Sequence, residues 1–269
     1  MSRSKFLLPL TAIFTFVIVS SCNKKEGCTD PNASNFDPDA EVNMGCIYEN
    51  GSFNVELHMH QYLGAGEIES GSIYNINGVQ TQLDIAEFYL SNIRLLDAAG
   101  NETPAQGVYL LIKPEVEEYD LGDFPAGNYT KIMFDVGIDS ATNAGDPSSY
   151  PLDNPLGNQF PTMYWGPSFG YVFMRIDGVA DMDGDGTPDI PAGEFEMHIG
   201  MNNYLASIEF DLPVTIGSTN ENICHIAAHY DMFFTDVDLA TDNTTHTTDN
   251  VPLTELLFGN IFTMFGPEF

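Results

Sequence analysis

The chain has 269 residues, 39 of them acidic and only 8 basic, for a formal net charge of −31 at neutral pH. Phosphate backbones are gripped by Lys and Arg, so this balance excludes nucleic acid as a partner and suits a solvated surface that attracts cations. A hydrophobic content of 43%, with 12% aromatic residues, supports a packed core and argues against disorder.

At the N-terminus, Arg3 and Lys5 precede the apolar run 6-FLLPLTAIFTFVIV-19, which is short for a membrane-crossing helix. The small residues and cysteine of 19-VSSC-22 follow. This is the layout of an export signal. Its ending resembles a bacterial lipobox, in which Cys22 is lipidated and becomes the first residue. Residues 1–21 are thus expected to be a lipoprotein signal peptide outside the fold. The lipid on Cys22 would hold the chain to a bacterial membrane, at its periplasmic face or at the cell surface.

Residues 22–51 read as an anchor and spacer. In 28-CTDPNASNFDPDAEVNMGCIY-48, two Asp-Pro pairs, several Asn and a Gly mark successive turns, and no apolar periodicity could build a core. A Cys28–Cys46 disulfide would supply order, on the order of 3 kcal/mol by loop-closure entropy, in a compartment where disulfides persist. The segment resembles a short Cys-Thr-Asp-Pro repeat of exported bacterial proteins, with Tyr48 after the second cysteine. Cys224, in an apolar stretch, is expected to be a buried free thiol.

The main domain is assigned to residues 52–269. In 53-FNVELHMH-60 the apolar set Phe53, Val55, Leu57 and Met59 alternates strictly with Asn54, Glu56, His58 and His60, as on a half-buried strand. Further strands are expected at 85–96, 108–113, 129–138, 170–178, 194–200, 206–216 and 223–234. Gly, Pro, Asn and Asp clusters separate them. The pattern predicts an all-β domain, an antiparallel β-sandwich with long loops, and a short C-terminal helix over 253-LTELLFGNIFTMF-265.

Two kinds of metal site are suggested. His58 and His60 are two apart on one strand face, about 6.5–7 Å at Cα, so their imidazoles can converge on one ion. His198 has the same parity in 194-EFEMHIG-200, opposite Phe195, Met197 and Ile199. In 181-DMDGDGTPD-189, Asp181, Asp183, Asp185 and Asp189 carry the one–three–five–nine spacing of a calcium loop. Gly186 stands at the sharp turn and Thr187 offers a carbonyl. The twelfth position is Ala192 rather than Glu, and Glu194 is the nearest replacement. His225 and His229, about 13 Å apart on a strand, are read as structural or solvent-facing. His246, in a polar loop, is read as solvated. No GxSxG, no cysteine–base arrangement and no phosphate-cradling glycine loop is present, so no enzymatic activity is expected.

The motifs 88-FYLSNIRLL-96, 126-AGNYTKIMFDVGIDSATNAGD-146, 163-MYWGPSFGYVFMRIDG-178 and 194-EFEMHIG-200 occur in the order and spacing of the MbnP-like proteins, which the chain resembles over roughly residues 52–265. The resemblance implies an exported copper-binding protein of a kind first associated with methanobactin operons. It implies a β-sandwich-like fold, two histidines holding copper beside a tryptophan, and a partner di-haem oxidase that converts that tryptophan to kynurenine. His60 and His198 are the implied ligands, with His58 adjoining, and Trp165 is the implied tryptophan. Family members often carry a second tryptophan two positions on, where this chain has Pro167. Met59, Met163 and Met197 are soft enough to favour Cu(I), but their parity also fits a core. The expected function is copper capture or handling at a membrane. The alternative is a cell-surface sandwich that binds glycan or protein without a transition metal.

Overall fold

The computed structural model describes residues 24–268, apart from 30, 32, 45, 47–50 and 219. The expected export signal over residues 1–21, Cys22 and Tyr48 lie outside the described residues. The spacer holds two short strands, β1 (Glu26–Gly27) and β2 (Val42–Asn43), paired in parallel. The expected Cys28–Cys46 disulfide is present, with its Cα atoms 4.7 Å apart. The side-chain amide of Asn128 donates to the Cys46 carbonyl at 2.9 Å and ties the spacer to the main domain.

The main domain opens with β3 (Ser52–Leu63), β4 (Gly66–Glu67), β5 (Ile73–Ile76) and the long β6 (Val79–Asp97). Next come β7 (Glu102–Pro104), β8 (Leu110–Ile112), β9 (Glu118–Pro125) and β10 (Gly127–Val136). A one-turn helix, α1 (Ser140–Asn143), begins the connection to β11 (Val172–Ala180). Then follow β12 (Glu194–Gly200), β13 (Ala206–Ile216) and β14 (Ile223–His229). The chain closes with α2 (Tyr230–Phe233), β15 (Thr244–His246), α3 (Val251–Met264) and β16 (Phe265–Pro267).

The strands form two main sheets. The larger runs β13-β10-β6-β11-β12-β15, with β5, β7 and β8 also paired to β6; the smaller runs β16-β14-β3-β4, with β9 on β3. The expected sandwich of antiparallel strands is therefore present, with a short C-terminal helix. Two pairings inside it are parallel, β3 with β14 and β12 with β15, and both involve histidines.

The alternation read in the sequence decides what faces inward. Val55, Leu57 and Met59 of β3 share one core with Phe195, Met197 and Ile199 of β12 and with Cys224 and Ile226 of β14. The opposite parity of each strand faces away from that core. A second apolar layer covers the outer face of the larger sheet. It is built from Tyr89, Leu156, Met163, Tyr171 and Phe173, with Trp165 packed against it.

Two segments differ from the sequence expectation. The strand expected over 223–234 stops at His229, and Tyr230 begins a helical turn. Tyr230, Phe233 and Phe234 are all fully buried, and their i, i+3, i+4 spacing fits a helix face rather than a strand. The C-terminal helix starts at Val251, two residues early, because Asn250 caps it, with its side-chain oxygen accepting from the Leu253 N–H.

Candidate functional site

The expected ligands fall on two surfaces. His58 and His60 belong to the outward parity of β3, and His198 to the outward parity of β12. The inward residues of both strands meet in the common core between them. The structure therefore places His60 and His198 on opposite outer faces of the sandwich. It brings His198, but not His60, to Trp165. The separation arises because each face was read correctly along its own strand, while the relation between the two sheets is not a property of either strand.

Around Trp165 the partners are different. The indole and the His198 imidazole lie with ring centroids 6.5 Å apart, tilted by 39°. The third ring is His246, whose centroid is 4.8 Å from that of His198 in an edge-on arrangement at 85°. His246 arrives through the parallel pairing of β15 with β12, which sets it directly beside His198 in the ladder. It therefore stands on a strand rather than in the expected loop, although its side chain keeps 36% of its surface exposed.

Each ring is held in place by identifiable contacts. His198 Nε2 is 2.5 Å from Asp177 Oδ1, in a buried environment. The Arg175 guanidinium grips the other Asp177 oxygen through Nε at 2.8 Å and Nη2 at 2.6 Å. Burial by itself would raise the Asp177 pKa, but hydrogen bonding and charge from His198 and Arg175 outweigh it and leave the carboxyl below its ordinary value. His246 Nδ1 lies 2.8 Å from Asp249 Oδ2, and its Nε2 is 3.3 Å from Glu196 Oε2. The indole fits because residue 200 has no side chain: a Cβ there would stand 2.6 Å from Trp165 Cζ3.

A buried run of threonines fixes β15 in register. Thr247 Oγ1 donates to the His198 carbonyl and accepts from the Gly200 N–H, at 3.1 and 2.9 Å. Thr254 of α3 donates to the Thr247 carbonyl at 3.1 Å and pairs with the Thr245 hydroxyl at 2.6 Å. The methionines are core residues. Met59 and Met197 lie in the inter-sheet core, facing away from His58, His60 and His198, whereas Met163 is buried in the outer apolar layer on the His198 side of the larger sheet.

The acidic loop connects β11 to β12. One carboxylate oxygen each from Asp181, Asp183 and Asp189 lies within 4.8 Å of the others. Asp185 does not converge with them. Asp181 accepts from the Gly184 and Gly186 N–H groups, Asp189 from those of Met182 and Asp183, and Asp185 from that of Thr187. Gly184 and Gly186 sit at φ +79° and +90°, conformations in which side chains are strained.

Three residues that the structure sets beside the expected ligands were not singled out from the sequence: His246 and Asp177 beside His198, and His225 beside His58. Asp177 had a usable signal. Arg-x-Asp inside the apolar strand 171-YVFMRIDGVA-180 is a charge pair in a buried segment, and such charges require partners. His225 and His246 had none, because their importance comes from parallel pairing with strands distant in sequence.

Comparison with known proteins agrees with this architecture. The profile of the MbnP family matches residues 52–249. A solved structure, MbnP from Methylosinus trichosporium, superposes with a TM-score of 0.55 at 17% identity, over 76% of this chain and 88% of that one. At that identity the likeness speaks for the fold. No curated protein gives a significant match. The profile match spans well over half of the chain, including both sheets and the Trp165 segment, and on that ground the chain belongs to the MbnP family.

Proposed function

We propose that this chain is an extracytoplasmic, lipid-anchored protein that captures or handles copper, with His198 and His246 beside Trp165 as the metal-holding side chains. His246 takes the place the sequence reading gave to His60. The observation that carries the proposal is a row of three rings: the His198 imidazole lies 6.5 Å from the indole of the chain's only tryptophan, and the His246 imidazole lies 4.8 Å from that of His198, between centroids.

The residues suit the metal. Neutral imidazoles are good copper ligands. Asp177 occupies Nε2 of His198, which leaves Nδ1 as the basic nitrogen and fixes the ring orientation. Asp249 orients His246 in the same way from Nδ1, and Nε2, with Glu196 Oε2 3.3 Å away, is the nitrogen that would take the ion. Copper, when bound, supplies a redox-active centre next to the indole. The chain's own part is to hold both rings still and to draw cations with its acidic surface. We assign it binding rather than catalysis.

The family resemblance supplies a partner for this proposal, a di-haem oxidase acting on Trp165. Trp165 is partly buried on a loop rather than sealed in the inter-sheet core. Intact mass of the native protein tests that modification. Calcium is proposed for the 181–189 loop, with Asp181, Asp183 and Asp189 as the converging ligands and a structural role between β11 and β12. The lipid on Cys22 is proposed as the membrane anchor.

The test of the copper assignment is metal content after purification from the native membrane. Wild type is expected to retain copper, and the His198→Ala/His246→Ala variant to lose that ion. Equal copper in the two proteins would overturn the assignment.

A further inference from the structure

On the opposite face of the molecule, β14 runs parallel to β3 in a register that sets His225 directly beside His58 and Ala227 beside His60. Paired residues on neighbouring strands point to the same side of a sheet, and i and i+2 on one strand do so too. His58, His60 and His225 therefore stand together on the outer face of the smaller sheet. One ring nitrogen of each lies within 4.8 Å of the others. His58 and His225 meet edge-on with centroids 5.0 Å apart.

A separate observation points to something missing between them. His58 Nε2 is buried and makes no hydrogen bond. The carboxylate oxygens of Glu56 and Glu118 stop 3.8 Å away, too far to satisfy it. A buried ring nitrogen without a partner is costly, and a cation on its lone pair would remove that cost.

We propose that His58, His60 and His225 form a second metal site, distinct from the one beside Trp165, that binds a divalent transition ion of the zinc(II) or copper(II) class. Three neutral imidazoles without a thiolate or an accessible thioether favour such borderline ions over Cu(I), and nitrogen ligands exclude calcium and magnesium as natural occupants. Three histidines leave a fourth position open for water or a carboxylate. His60 has a carboxylate on either side, with Glu67 3.0 Å from Nδ1 and Glu268 3.4 Å from Nε2, so whichever nitrogen faces the ion, the other has an acceptor that orients the ring. A cleft of about 690 Å³ opens beside this group; Lys113 in its lining pairs with Glu87 at 3.2 Å, and Glu67, Glu69, Glu115 and Glu117 leave the approach acidic for a cation. Glu67 and Glu117 each place an oxygen within 4.8 Å of a His60 nitrogen.

The experiment is a zinc titration of the full chain, with bound metal counted by elemental analysis after desalting. His58→Ala/His225→Ala is expected to bind one zinc ion fewer than wild type, while His198→Ala/His246→Ala keeps this ion. A wild-type measurement stands beside it: zinc is expected to protect His58, His60 and His225 together from diethyl pyrocarbonate, mapped by peptide mass. Unchanged zinc stoichiometry in a folded His58→Ala/His225→Ala variant overturns the proposal. So does modification of these three histidines at the same rate with and without zinc.

Discussion

Gly200 and Trp165 show how one missing side chain shapes the site. A Cβ at residue 200 would meet the indole at 2.6 Å and the Tyr171 carbonyl oxygen at 2.7 Å. Both approaches are closer than a Cβ tolerates, so the backbone near Tyr171 and the indole must both shift. Gly200→Ala is expected to destabilise the protein by about 1–3 kcal/mol through overpacking. Because Trp165 is the only tryptophan, intrinsic fluorescence reads its displacement directly; a variant with unshifted emission and unchanged stability would contradict this packing. At this scale the sequence was half legible. The alternation in β3 and β12 correctly turned His58, His60 and His198 away from the core. It could not say which of them share a face, since that depends on how the two sheets stack. The Trp165 neighbourhood therefore gained His246 and lost His60.

At the scale of elements, the strands that alternate cleanly were legible to the residue: 194–200 and 206–216 coincide with β12 and β13. The helical turn at Tyr230–Phe233 was hidden because an apolar run fits strand and helix alike until its neighbours are known. The layer over the larger sheet depends on α1, whose cap is Asp139. Its carboxylate accepts from the N–H groups of Ala141 and Thr142 and from the Tyr109 hydroxyl. Burial works to raise the Asp139 pKa, but these hydrogen bonds outweigh it and hold the carboxyl below its ordinary value. A lowered folded-state pKa contributes stability that is present above the unfolded-state value and lost as pH falls through the folded one. Asp139→Asn should therefore be less stable than wild type at neutral pH, with the deficit shrinking as pH drops below about 4. A deficit independent of pH, in denaturant unfolding at several pH values, would contradict the account. The 181–189 loop offers another check. Calcium at one hundred times its dissociation constant should add about 2.7 kcal/mol of stability, seen as a raised melting temperature that EDTA reverses. No shift with calcium would remove the ion from the loop.

Over the whole molecule, one core joins both sheets, and the two histidine groups lie on the outer surfaces either side of it. Cys224 sits within that core, fully buried, and burial pushes its thiol up to about 12. It should resist alkylation at pH 8 in the native protein and react only when the sandwich opens in denaturant; rapid native labelling would mean that the sheets part readily. The class of fold was legible because composition, alternation and turn clusters all pointed to a sandwich. The parallel pairings of β3 with β14 and β12 with β15 were not, because strands distant in sequence leave no local signature of their register. Those two pairings complete both histidine groups.

The most direct test of the copper site is a copper titration followed through the emission of Trp165. Copper is expected to quench the tryptophan in wild type and in His58→Ala/His225→Ala, and to lose that effect in His198→Ala/His246→Ala. Quenching that persists without His198 and His246, and vanishes without His58 and His225, would contradict the assignment of copper to the Trp165 face.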